Sequence, residues 1–345
     1  MVFNTQNGQP GLGLALGGGL ARGFSHIGVL KALNRHNIYP SLIAGTSIGA
    51  VVGSCYLAGK LDVLEEWALS LNRFKIFSYL DFRVRSAGLV GGQKLKDVLV
   101  GHFGDMNIED LPHPIICIAT DLATGHEVWL RRGNLTEAMT ASFALPGVFP
   151  PVYHDERHLV DGALVNPCPI SPCQALGARM TIAVDLNTDL IGKASKPGQT
   201  YQTITGFDVF DNDDVPPEEQ KKFNSSAITR RLFRREKDKP SLFGVMVSGL
   251  GILQDRLTRS RLAGEPPDIH IKPPVGHLGL LEFEKAEELI RLGEIATERM
   301  IPEIKAAMLV LLKSDVSDAF LQMDLGDDDI TNANVGVVED SVTSD

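Results

Sequence analysis

The sequence predicts an α/β protein: a mostly parallel central sheet with helices on both faces, extended by a C-terminal helical segment and ending in an acidic tail. Three observations lead there. Apolar runs of strand length alternate with runs of helix length from Leu12 to Asn187. Two of the strand-to-helix junctions are glycine-rich turns, Gly17-Gly18-Gly19-Leu20-Ala21-Arg22-Gly23 and Gly45-Thr46-Ser47-Ile48-Gly49. Across 345 residues, 43% hydrophobic but only 6% aromatic, the chain can bury a large aliphatic core.

Taken in order, Leu12, Leu14 and Leu16 alternate as a strand and run through the first glycine turn into a helical pattern over 24–36. Leu42, Ile43 and Ala44 form a buried strand, and the uncharged stretch from Ile48 to Leu57, stopped by Gly59, forms a buried helix. Residues 61–71 and 92–103 read as amphipathic helices, and 115–119 as a buried strand with a hairpin-like return over 127–130 across Thr124-Gly125. Residues 135–144 are helical and stop before Pro146; a short segment His158-Leu159-Val160 precedes Asp161; 170–176 is helix-like and 180–186 a strand. Farther on, 242–262 is a long helix, 269–271 a strand, and 283–312 helical with a break expected near Pro302. The resulting division is 12–189 as catalytic domain, 190–240 as a polar, partly disordered insertion, 241–313 completing the fold, and 314–345 as a disordered tail.

The uncharged stretch 37–59 is long enough to resemble a membrane span. Pro40, four glycines and the central Thr46-Ser47 assign it instead to a strand and helix buried in a sheet protein.

Ser47 lies between spaced glycines with a strand before and a helix after, the pattern of a nucleophile elbow. Such a turn crowds the backbone against its neighbours, so Gly45 and Gly49 supply positions without side chains. The helix N-terminus lends partial positive charge to a developing oxyanion. The first glycine loop can aim backbone N–H groups at a phosphate or at an acyl-transfer oxyanion. It has no Gly-Lys-Ser/Thr ending, and Leu20 and Arg22 occupy positions that a dinucleotide fingerprint requires as glycine.

A glycine loop, a serine elbow about 25 residues on, and Asp161-Gly162-Ala163 some 115 residues after the serine together resemble the patatin-like phospholipase family, notably its bacterial members related to the neuropathy target esterase group. The resemblance spans about 12–187 and includes Thr120-Asp121-Leu122 and the segment from Leu145 to Pro151. It implies a Ser47–Asp161 dyad without histidine, and an oxyanion hole at Gly18, Gly19 and Leu20. Gly17, Gly23, Gly45, Gly49, Gly162 and Ala163 support the motifs. Many members carry glycine where Leu20 stands. Arg22 also matches a family position, where it orders the loop through carbonyls or contacts substrate. The implied activity is hydrolysis of phospholipid or lysophospholipid esters through an acyl-enzyme, with no cofactor and no metal. A free carboxylate, with pKa near ~4, is a weak base for a serine hydroxyl, so Asp161 needs a desolvated site.

Two alternatives stand beside this expectation. A serine, histidine and acid triad would need His270 or His277, the histidines downstream of Asp161. A regulatory or adaptor protein could retain the fold without turnover. His26 lies close to the glycine loop and reads as a packing or hydrogen-bonding residue.

Cys55, Cys117, Cys168 and Cys173 show no paired spacing, against a metal site or a disulfide framework. The N-terminus lacks a secretory pattern, which gives a cytoplasmic expectation with peripheral contact at the inner membrane face. That contact falls to 221–239, with eight basic and two acidic residues interleaved with Phe223, Ile228, Leu232 and Phe233; a solvated insertion is the plainer reading. Nine acidic residues after Lys313 supply nearly all of the net charge of −10, and no module for nucleic-acid binding is present.

Overall fold

In the computed structural model of the chain the described residues are 11–72, 101–187 and 242–312, without the side chains of 242–244. The insertion 190–240, the tail 314–345 and most of the helix expected over 92–103 lie outside them. Among the described residues eight strands form one sheet: β1 (Leu12–Leu16), β2 (Leu42–Thr46), β3 (Ile115–Asp121), β4 (Glu127–Leu130), β5 (Val152–His154), β6 (Arg157–Asp161), β7 (Met180–Val184) and β8 (Ile269–Ile271). Their order is β5-β6-β3-β2-β1-β7-β8, with β4 also paired to β3. The run β3-β2-β1-β7-β8 is parallel throughout, and β4, β5 and β6 pair antiparallel.

The described helices are α1 (Ser25–Arg35), α2 (Ile48–Leu57), α3 (Leu61–Leu69), α4 (Leu135–Ser142), α5 (Ile170–Ala175), α6 (Leu242–Gly264) and α7 (Ala286–Leu311). The alternation of strand side chains splits the core. Leu14, Leu16, Ile43, Ile115 and Cys117 face a large cluster with residues of α1, α2, α4 and α7. Ala15, Leu42, Ala44, Ile116 and Ile118 face a smaller one with Ile170 and Cys173 of α5. Both faces of β1, β2, β3 and β7 are therefore dry, in keeping with their largely apolar sequence. The stretch 37–59 resolves into β2 and α2, and no helix among the described residues is long and apolar enough to cross a membrane.

One local arrangement positions the site. Ile118 pairs with Thr46 and Trp129, and Ala119 pairs with Asp161 and Val128. A strand has two edges, so β2 and β6 share one edge of β3 end to end, with β4 along the other. Their carboxyl ends meet there. The three-residue β5, which extends β6 as a hairpin, is too short for its period to be read in sequence.

The break expected at Pro302 does not occur, because α7 runs through it. Pro302 is exposed, while its neighbours Ile301 and Ile304 are buried and hold both halves of the helix on the core. α7 lies close along α1: a side chain on Gly28 would strike the Ile290 carbonyl, and one on Gly293 the Ser25 carbonyl. The C-terminal segment thus packs directly on the helix that follows the first glycine loop.

Candidate active site

Ser47 follows β2 with φ 57 and ψ −126, a strained conformation for a residue with a side chain, and starts α2. It is 2% exposed. Two tight approaches hold the turn: a side chain on Gly45 would enter the backbone of Ala50, and one on Gly49 would strike the Leu16 carbonyl at the end of β1. Thr46, just before the turn, donates its hydroxyl to the Asn166 carbonyl at 2.7 Å.

Asp161 ends β6 and is 1% exposed. Its amide donates to the Ala144 carbonyl, in the turn after α4, and its carbonyl accepts the Thr120 hydroxyl at 2.9 Å. Of its carboxylate oxygens, Oδ1 accepts the Ala163 amide at 2.8 Å and Oδ2 accepts the Ser47 hydroxyl at 2.6 Å. Gly162 lies flat on β3, where a side chain would strike the Ile118 carbonyl. Burial pushes the Asp161 carboxyl up from 3.8 to about 7, outweighing the Ser47 and Ala163 bonds, which favour the ionised form.

The first glycine loop passes beside this pair. A Cβ on Gly18 would lie 3.4 Å from Ser47 Cβ and 3.2 Å from Ala163 Cβ. A side chain on Gly23 would strike Ile48, so the two glycine motifs interlock. The amides of Gly17 and Gly18 are engaged, donating to the carbonyls of Val184 and Pro167. The Gly18 amide is thus already paired with the Pro167 carbonyl. Among the described residues the amides of Gly19 and Leu20 have no acceptor. Leu20 sits at φ 51, a left-handed conformation that explains why glycine suits this position.

Arg22 is buried and turns both Nε and Nη2 onto the Leu278 carbonyl at 2.9 and 2.6 Å, while the Ala21 amide donates to the Leu280 carbonyl. The loop is held by residues more than 250 positions away in sequence. His26 Nε2 lies 2.7 Å from the Gly17 carbonyl, which only accepts, so Nε2 carries the proton. Burial lowers its pKa to about 4 and keeps the ring neutral. The histidines that a triad would need have other partners: His270 Nε2 faces Asp185 Oδ2 at 3.3 Å, and His277 Nε2 faces Glu288 Oε1 at 2.9 Å. His270 lies on β8, three strands from β2, or roughly 14 Å across the sheet. The four cysteines are buried, and burial pushes the thiols of Cys55, Cys117 and Cys173 up to about 12.

A family model for patatin-like phospholipases matches residues 14–173. An uncharacterised NTE family protein of Mycobacterium tuberculosis is 35% identical over 330 residues, which cover 85% of this chain and 92% of the relative. The chain belongs to the patatin-like phospholipase family. A second NTE family protein of that species is 26% identical to this patatin-like protein over 298 residues, 83% of the chain and 45% of the relative. The lysophospholipase nte1 of Aspergillus fumigatus is 27% identical over 306 residues, 86% of the chain but 18% of that longer protein. The family match spans β1 to α5 of the patatin-like chain. It includes both glycine motifs, Ser47 and Asp161.

Sequence reasoning did not assign Ser142, Thr120 or Asn166. Ser142 accepts the Ser47 amide at 2.9 Å and donates to the Ile118 carbonyl at 2.6 Å. The sole signal was proximity: Thr120 heads one family-type segment, and Ser142 stands three residues before the other.

Proposed function

We propose that this protein hydrolyses lipid acyl esters of the phospholipid or lysophospholipid type through a Ser47–Asp161 dyad. The observation that carries the reading is the 2.6 Å bond from Ser47 Oγ to Asp161 Oδ2 in a buried site. A carboxylate with pKa of about 7 is matched to proton transfer near neutral pH, whereas one at its ordinary value is not.

Asp161 takes the hydroxyl proton as Ser47 Oγ attacks the ester carbonyl carbon. The carbonyl oxygen becomes an oxyanion, stabilised by the amides of Gly19 and Leu20 and by the N-terminus of α2. Collapse breaks the bond to the alkoxy oxygen, which leaves as the alcohol with the proton held by Asp161. Water then attacks the acyl-enzyme, giving one proton to Asp161. The carboxylic acid departs, and that proton returns to Ser47 Oγ. The lipid class of the substrate rests on family membership and on the lysophospholipase name of the fungal relative.

Fluorophosphonate labelling with peptide mapping tests this reading, together with turnover of p-nitrophenyl butyrate. The label should sit on Ser47, and Ser47→Ala should lose both label and turnover while keeping its melting temperature. A label on another serine, or turnover surviving in Ser47→Ala, would refute it.

A further inference from the structure

Helix α6 crosses the carboxyl end of the sheet. Leu262 packs against the aliphatic cluster on one sheet face, and Met246, Val247 and Leu250 pack against the cluster on the other. Between these ends Thr258 Oγ1 lies 3.5 Å from Asn187 Nδ2, which also reaches the Gly18 carbonyl at 3.4 Å. Arg261 binds the Val165 carbonyl and Glu127. The inner side of α6 therefore touches the segments that shape the Ser47 site.

The outer side is different. Val245, Ile252 and Leu253 are 51%, 62% and 65% exposed, and Gly249 opens onto empty space. Positions 245, 249, 252, 253 and 256 fall on one helical face, ending in exposed Arg256, for which the described residues supply no ion-pair partner. The one acidic residue of α6, Asp255, is buried against Arg259. An aliphatic stripe ending in a cation, with no acid of the described residues paired to it, matches a surface that is apolar beneath a layer of anions.

We propose that this face of α6 docks on an anionic lipid surface, with Val245, Ile252 and Leu253 at the acyl boundary and Arg256 at the phosphates. The proposal rests on the lipid-hydrolase reading and adds to it the surface that brings the carboxyl end of the sheet, with Ser47, to the bilayer. Charge decides against the basic segment of this chain as the occupant. Residues 221–239, eight basic against two acidic, would set like charge against Arg256.

Because the four native cysteines are buried, Leu253→Cys can be labelled selectively with an environment-sensitive nitrobenzoxadiazole probe. Vesicles containing phosphatidylglycerol should shift its emission to the blue and raise its intensity, and vesicles of phosphatidylcholine alone should do so far less. The triple variant Val245→Ser, Ile252→Ser, Leu253→Ser should bind phosphatidylglycerol vesicles at least about tenfold more weakly. Its turnover of p-nitrophenyl butyrate should match wild type. Arg256→Gln should weaken binding by an amount that shrinks at high salt. No spectral change with phosphatidylglycerol, equal binding by the triple variant, or emission already blue-shifted without vesicles would each overturn the proposal. Emission already shifted would mean that the chain itself or a second copy covers the face. Failure of wild type to turn over the soluble ester would instead count against the dyad, leaving the vesicle result standing.

Discussion

Ser47 donates its amide to Ser142 Oγ, and the Ser142 hydroxyl donates in turn to the carbonyl of Ile118. One hydroxyl thus fastens the strained residue at the end of β2 to β3, the strand that also carries Asp161 through Ala119. Ser142→Ala leaves a buried N–H and a buried C=O without that partner, at a cost of about 1–3 kcal/mol. Loss of alignment should lower kcat for p-nitrophenyl butyrate at least about tenfold with KM little changed. Ser142→Cys should recover part of it. Full kcat in folded Ser142→Ala would mean that the elbow holds Ser47 unaided.

The pKa of Asp161 sets two opposite pH trends. Its folded value, about 7, lies above the ordinary 3.8, so the folded state holds the proton more tightly. The associated stability is fully present below pH 4 and is lost as pH rises through 7. In the proposed dyad the base acts in its ionised form, so kcat/KM should climb through a limb near pH 7. Asp161→Asn should lose several orders of magnitude in kcat yet be more stable above pH 8, by on the order of 2–4 kcal/mol. His270→Ala and His277→Ala should leave kcat nearly unchanged. A wild-type profile flat from pH 5 to 9 would contradict the assignment of the base.

Leu20 tests the oxyanion loop. Holding leucine at φ 51 costs about 1–2 kcal/mol, which glycine would relieve. The same change removes a buried side chain worth about 2–3 kcal/mol, so Leu20→Gly should destabilise only modestly. If the proposed donor is the backbone amide, kcat of this variant should stay within about threefold of wild type. Leu20→Pro deletes the donor and demands φ near −65°, so it should cost 10²-fold or more. Equal losses in the two variants, measured on folded protein, would assign the role to the side chain.

His26 titrates in the opposite sense to Asp161. Its folded pKa of about 4 lies below the ordinary 6.5. The stability it confers is present above pH 6.5 and is lost as pH falls towards 4. In an Asp161→Asn background, where the opposing gain from the carboxyl is absent, urea unfolding between pH 7 and 4 should show a decline that a further His26→Asn change reduces. An identical slope in the variant would remove His26 as the acid-labile group.

The elbow was legible in the sequence because its demands are local. Gly45 and Gly49 are dictated by backbone within a few residues or by the adjoining strand, and α2 runs from the residue after Ser47 to two residues before Gly59. The parallel core was legible for a similar reason, since strands buried on both faces are apolar at nearly every position. At Pro302 the local rule failed. There the burial of Ile301 and Ile304 outweighs one missing backbone bond, and that weight lies in the packing partners, not in the residue itself.

By itself the sequence determined the strand-turn-helix units, the identity of Ser47 as the elbow residue and the pairing of motifs that marks the family. Tertiary structure decided how these units meet. β2 and β6 abut along one edge of β3, which sets Ser47 Oγ 2.6 Å from Asp161 Oδ2 across more than a hundred residues of chain. Pro167 claims the Gly18 amide, and Leu278 fixes Arg22, both through carbonyls that no motif encodes. The elevated pKa of Asp161 is likewise a property of the assembled fold. Desolvation requires the β3 edge, the Gly162 turn and the glycine loop to close around the carboxylate together, and solvent exclusion has no signature in the residues on either side of it.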